Sequence, residues 1–272
     1  MFCTADYLGA GTGTSAADCY LSDSELELRF EGNTAGEKGG AIYSYESEMR
    51  IKGESAFINN RAGIGLDGKL LSDNIVSGKG GAIYSEIGSL NKGYVLIGSG
   101  SVSTFDSNLA YGDGGAIYSE QEVYILRTPT EFSENSAYYG GAIYSEQRAY
   151  LYYSPFTFSN NTANQGGAIY AKYLELWGDT SSATFTGNYG AFYDAVDDKV
   201  CGNDIYMPVN DVYAPSEGDE CTNLAFVEAG AYSFDGGIYI ERGDYDGNPN
   251  NTIIREAQVA IAGRAYDTTN YY

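Results

Sequence analysis

Histidine is absent from the sequence. Its absence removes the commonest metal ligand and the usual acid/base of neutral pH, so zincin-type sites, Ser-His-Asp triads and Cys-His dyads are excluded. Any catalysis would have to rest on carboxylates, Lys, Arg or Tyr. Basic residues are scarce too: 15 Lys+Arg stand against 37 Asp+Glu, for a net charge of −22. A nucleic acid or an anionic bilayer would approach against that field, and neither is expected as a partner. No run of 18 apolar residues occurs, so no segment is expected to insert into a membrane. There is no Cys-x-x-Cys, no D-x-D-x-D-G loop and no nonapeptide calcium roll, and accordingly no metal and no cofactor is expected. Met1 is followed by neither a basic nor an apolar leader stretch, which is expected of a chain whose signal has been removed or of an excised segment.

Glycine and tyrosine are abundant instead, 36 and 27 residues, with only five prolines. That combination suggests many turns between short strands. The sequence repeats itself. Gly-Gly-Ala-Ile-Tyr-Ser/Ala occurs at Gly39–Ser44, Gly80–Ser85, Gly114–Ser119, Gly140–Ser145 and Gly166–Ala171, with an echo at Gly236–Tyr239. Interleaved with it is Phe-x-x-Asn, at Phe30/Asn33, Phe57/Asn60, Phe105/Asn108, Phe132/Asn135, Phe158/Asn161 and Phe185/Asn188. The Phe intervals are 27, 48, 27, 26 and 27 residues. A period near 27 therefore governs the chain, and the long interval carries insertions, chiefly 62–79.

Each period holds three short runs of alternating apolar residues, too short for helices. Three strands and one period per turn describe an all-β fold, a single-stranded parallel β-helix of six or seven coils stacked about 4.8 Å apart. The Gly pair suits a corner that needs a positive φ or lies too close to the next coil for a Cβ. Ile42, Ile83, Ile117, Ile143 and Ile169 are expected to stack inside, and the six Phe to form a second interior column. The Asn series is placed at a bend, in a left-handed conformation, where identical amides bond from coil to coil. Residues 24–241 are assigned to the helix, with 1–23 as N-terminal cap and 242–272 as C-terminal cap or tail. Residues 253–265 read equally well as a short helix or a strand.

Alternation places Tyr43, Tyr84, Tyr118, Tyr144 and Tyr170 outward. Two readings follow. Such a ladder is a flat aromatic strip for stacking on sugar rings or a partner protein, or a set of cross-strand pairs that stabilises the sheet. Glu86, Glu120 and Glu146 would run beside it as an acidic strip, either solvated or relieved by cations.

Cys3, Cys19, Cys201 and Cys221 permit three pairings, of which 3–19 and 201–221 close the shortest loops; four buried thiols are the alternative. With the sequons starting at Asn160 and Asn250, disulfides and an oxidising, extracellular location are the reading preferred.

The alternating GGAI and FxxN motifs resemble the repeat of the polymorphic outer membrane proteins, the chlamydial-type autotransporter passengers, and of related microbial surface proteins. The resemblance rests on the five hexapeptides and six FxxN copies and spans about Phe30 to Tyr206. It implies a right-handed β-helix displayed at a cell surface, often adhesive. The function expected is a non-catalytic extracellular module, adhesive or scaffolding, with a surface glycan or protein as partner. Self-assembly into a larger complex is the variant that an uncapped terminal coil would favour. The alternative is a carbohydrate-active enzyme using clustered carboxylates, with Asp194, Asp197, Asp198 and Lys199, or Asp67 and Asp73, as candidates.

Overall fold

A computed structural model of the chain describes residues 2–4, 19–22, 27–63, 78–89, 92–98, 102–177, 182–190, 193–194, 199–200, 204–208, 224–227, 231–234, 238–240, 252–254, 258–261 and 264–266. Strands are the only regular elements among them. They stack into three parallel walls of a right-handed β-helix. The first wall runs Phe2–Thr4, Ile42–Tyr45, Ile83–Glu86, Ile117–Ser119, then the start of Ile143–Tyr152 and of Ile169–Trp177, then Ile205–Met207 and Ile238–Ile240. The second runs Cys19–Ser22, Met49–Lys52, Val95–Gly98, Val123–Leu126, the later halves of Ile143–Tyr152 and Ile169–Trp177, Leu224–Val227 and Thr252–Ile254. The third runs Leu28–Glu31, Ser55–Ile58, Ser103–Asp106, Thr130–Ser133, Phe156–Ser159, Ser182–Thr186, Ala231–Phe234 and Gln258–Ile261. Each wall therefore has eight parallel strands. That is at least one coil more than the sequence period suggested, because the first and last coils lack the hexapeptide.

Register carries the fold. Ile42, Ile83, Ile117, Ile143, Ile169 and Ile205 lie in one row, and all six are fully buried. Phe57, Phe105, Phe132 and Phe158 stack almost parallel at 4.8 Å, and Phe185 follows at 4.6 Å. The centroid spacing is the strand spacing, so the rings are held by backbone pairing as much as by their own attraction.

The two glycines divide the tasks expected of them. The first of each pair has a positive φ, from 60° at Gly39 to 69° at Gly114. The second is needed for close approach: a Cβ on Gly115 would overlap the Gly141 carbonyl of the next coil. The Asn column forms, but its left-handed residue is one position earlier than expected. Asn59, Ser107, Glu134 and Asn160 have φ of 53–55°, and Gly32 and Gly187 fill the same place. The ladder Asn follows, with its amide turned inward.

Pairing continues past the 24–241 limits at both ends. Phe2–Thr4 and Cys19–Ser22 are strands of the first coil, and the described residues of 253–265 are strand rather than helix: Thr252–Ile254, Gln258–Ile261 and Arg264–Tyr266, the last antiparallel to Gln258–Ile261. Tyr193–Asp194 and Lys199–Val200 make a small antiparallel hairpin between the sixth and seventh coils.

Candidate functional site

The outer side of the first wall carries the tyrosine column. Tyr84, Tyr118, Tyr144 and Tyr170 stack at 4.8–4.9 Å within 9° of parallel, with Tyr43 tilted at one end and Tyr206 stacked at the other. The rings face away from the Ile column, as alternation requires. They are not an open strip. Tyr84 and Tyr118 are 1% and 0% exposed, and Tyr43, Tyr144 and Tyr170 are half-buried.

The residue before the Gly pair does the covering in three coils. Lys38 Nζ lies 4.8 Å from the Tyr84 ring centre and Lys79 Nζ 4.4 Å from that of Tyr118, both cation–π contacts. Tyr139 stacks on Tyr170 at 5.3 Å. From the other side, the Glu that follows the next hexapeptide accepts the phenol proton. Tyr43 Oη donates to Glu86 at 2.6 Å, Tyr84 Oη to Glu120 at 2.5 Å, and Tyr118 Oη to Glu146. Burial, with these carboxylate contacts second, holds the Tyr84 and Tyr118 hydroxyls well above the ordinary tyrosine range. The acidic row is therefore not simply solvated, and phenols from the preceding coil supply its donors. The middle of this column cannot stack on a sugar without displacing its own lysines.

One group in the cover is left short. Asp113 is 5% exposed, and its Oδ1 has no hydrogen-bond partner. Lys79 Nζ is 3.8 Å from its other oxygen. Burial pushes its carboxyl up to about 6, against the pull of Lys79. A raised carboxyl pKa favours the folded state below the unfolded value and loses that contribution as pH rises through about 6. Asp113→Asn is thus expected to be more stable than wild type at pH 8, by on the order of 2 kcal/mol, with the gap closing near pH 4. Urea unfolding of both proteins at the two pH values checks this; equal stabilities at pH 8 would contradict it.

A second aromatic face, not anticipated from the sequence, lies on the second wall. Tyr124 stacks on Tyr150 at 4.7 Å, and Tyr94 meets Tyr124 edge-on. Beyond them Tyr152, Tyr153 and the single tryptophan, Trp177, form a cluster with ring centres 5.3–6.5 Å apart. Tyr152 Oη and Trp177 Nε1 both donate to Oε2 of Glu175, at 2.7 and 3.1 Å, which fixes both rings. Arg127 lies over Tyr153, and Arg148 over Tyr173. Tyr152, Tyr153, Tyr173 and Trp177 are half-buried. Sequence reading followed residue identity from period to period, and this face shares position but not residue type.

A family model for the Chlamydia polymorphic membrane protein repeat matches residues 27–45, 54–86, 102–120, 129–146 and 155–172. The chain carries five copies of this repeat. No curated protein and no solved structure matches the chain. Each polymorphic membrane protein repeat match begins near a third-wall strand and ends at or just after the next first-wall strand segment. Strands Met49–Lys52, Val95–Gly98 and Val123–Leu126, and the segments 149–152 and 174–177, all fall outside the matches. The repeat thus accounts for two walls and the corner between them, and leaves the second wall unassigned.

The remaining sequence candidates fall as follows. Cys3 lies in register with Ser44 and Cys19 with Met49, in different walls of the first coil, whereas Cys201 and Cys221 lie outside the described residues. Asn160 is exposed at a corner; Asn250 lies outside the described residues. So do Asp67, Asp73, Asp197 and Asp198, while Asp194 and Lys199 are register partners in the hairpin. Among the described residues, no cluster of three or more metal-ligating side chains occurs and no helix is long and apolar enough to cross a membrane.

Proposed function

We propose that the chain is a non-catalytic module of a cell-surface protein, in which the repeat builds a rigid prism and the second wall presents the adhesive face. The carrying observation is the division just described: the repeat matches take in the first and third walls and skip the second at every coil they span. Surface display follows from the kind of protein the repeat is named for, a chlamydial polymorphic membrane protein. The tyrosine column serves the prism. The Tyr43, Tyr84 and Tyr118 hydroxyls are taken by the chain's own Glu, and the Tyr84 and Tyr118 rings by its own Lys.

The partner face is the cluster of Tyr152, Tyr153 and Trp177, with Tyr124 beside it. Half-exposed rings held by a shared carboxylate lose little freedom on binding, and flat apolar rings edged by Arg and Glu suit the C–H faces and hydroxyls of a sugar. A surface glycan is accordingly the partner proposed.

The test has two arms. Antibody to the purified chain should label intact source cells, and labelling only after permeabilisation would remove the surface reading. On a glycan array the wild type and Tyr118→Phe should bind alike, and Trp177→Ala should lose at least about tenfold, 1.4 kcal/mol. Binding that survives in Trp177→Ala would move the contact elsewhere, and release of sugar products during the assay would revive the enzyme reading.

A further inference from the structure

The first coil of the third wall is unfinished on one side. Among the described residues, Leu28–Glu31 pairs only with Ser55–Ile58. The N–H groups of Leu28 and Gly32 are spent on that neighbour, at 2.8 and 2.9 Å. Strand alternation therefore aims the N–H and C=O of Arg29 and Glu31 out of the opposite edge. Phe30 stacks on Phe57 at 4.9 Å and is half-buried, whereas Phe57, Phe105, Phe132 and Phe158 are 0% exposed. Asn33 gives its Nδ2 to Asn60 at 2.8 Å, and no donor among the described residues reaches its Oδ1. Backbone, ring and amide all stop at the same plane.

We propose that this edge joins a second copy of the chain, head to head, about a two-fold axis at Phe30. In an antiparallel pair, residues whose backbone groups face the partner exchange two hydrogen bonds, and those between them lie closest side by side. With Phe30 opposite Phe30 of the second copy, Arg29 falls opposite Glu31 and Glu31 opposite Arg29. Among the described residues, those are the two whose outward backbone groups have no partner. Their side chains share the outer face and are exposed, with Arg29 Nε already 2.9 Å from Glu31 of its own strand. The pairing is thus self-complementary in charge, as an isologous interface must be. On the inner face the two Phe30 rings meet, and the phenylalanine column runs on through the interface. At the other end of this wall the last parallel strand is covered by Arg264–Tyr266, which runs antiparallel to it, so a head-to-tail contact would bring unlike edges together. The occupant is a second copy added by strand pairing.

Sedimentation velocity on the whole chain across the micromolar range is expected to show a monomer–dimer equilibrium. Arg29→Glu and Glu31→Arg should each weaken the dimer at least about tenfold by setting like charges opposite one another, and the double swap should restore it. Both positions are exposed, and unchanged circular dichroism confirms that the variants fold. Hydrogen exchange of the Arg29 and Glu31 amides should slow as concentration rises, while that of Leu28 should not change. A wild type that stays monomeric overturns the proposal, and so does a dimer indifferent to either swap or one that the double swap fails to restore. Concentration-independent protection of the two amides also overturns it, since the chain's own residues would then fill the edge.

Discussion

Gly115→Ala is expected to abolish the native coil stacking. An added Cβ would overlap the carbonyl oxygen of Gly141 and sit 2.7 Å from the Ser136 nitrogen and 2.8 Å from its oxygen. All three atoms are backbone in the neighbouring coil, so no side chain can turn aside. The coils would have to part locally, and parting them breaks the bonds from Gly115 N to Gly140 O and from Ser136 N to Asn108 O. The loss should exceed about 4 kcal/mol, at the far end of what single substitutions do. Gly32→Ala is the control. It also stands at a corner, with a φ of 65°, but nothing lies within 4 Å of its added Cβ. Only the left-handed backbone resists there, for about 1–2 kcal/mol. Urea unfolding of the two variants should separate steric exclusion between coils from backbone preference; similar losses would mean that coil spacing gives way.

Asn135→Ala should be nearly as damaging without any clash. Its Nδ2 donates to Phe105 O at 2.9 Å and to Asn161 Oδ1 at 3.0 Å, and its Oδ1 accepts from the backbone N and Nδ2 of Asn108 at 3.0 and 2.9 Å. The residue is fully buried. Alanine removes four hydrogen bonds where water is excluded. Asn161 Oδ1 keeps the residue-135 N–H and Asn108 Nδ2 keeps Phe57 O, but the Asn108 N–H loses its acceptor. At about 1 kcal/mol per bond and more for the stranded donor, a loss of roughly 4 kcal/mol is expected. Asn135→Asp should do no better, since it keeps the acceptor and loses both donors. Asn33→Ala, at the exposed end of the column, should cost under about 1 kcal/mol. Thermal or urea unfolding that found the middle and end positions alike would show that the column contributes little.

What was legible in the sequence is what recurs as residue type. Ile in the hexapeptide and Phe before the Asn recur because each touches its own kind in the next coil. The left-handed corner was misplaced by one residue because its occupants, Gly32, Asn59, Ser107, Glu134, Asn160 and Gly187, share a conformation and no chemistry. The burial of Tyr84 and Tyr118 was hidden for a related reason. Alternation says on which side of a wall a ring stands, and nothing about what lies over it. The cover comes from the position before the Gly pair, which is Lys in two coils (Lys38, Lys79) and Tyr139 in another, so it has no fixed residue type. The Trp177 cluster was missed because it joins residues of two successive coils that follow no motif.

The asparagine column has a direction. From Asn33 to Asn188 every amide donates toward the following coil, and the last donates to Asp204 Oδ1 at 2.9 Å. A carboxylate, which accepts and need not donate, can close such a series where one more amide would ask for another acceptor. Inserting or deleting a whole period between those ends leaves the number of unmet amides unchanged. Recombination between neighbouring copies could therefore lengthen or shorten the prism while its polar interior stays balanced, provided the terminal acid is kept.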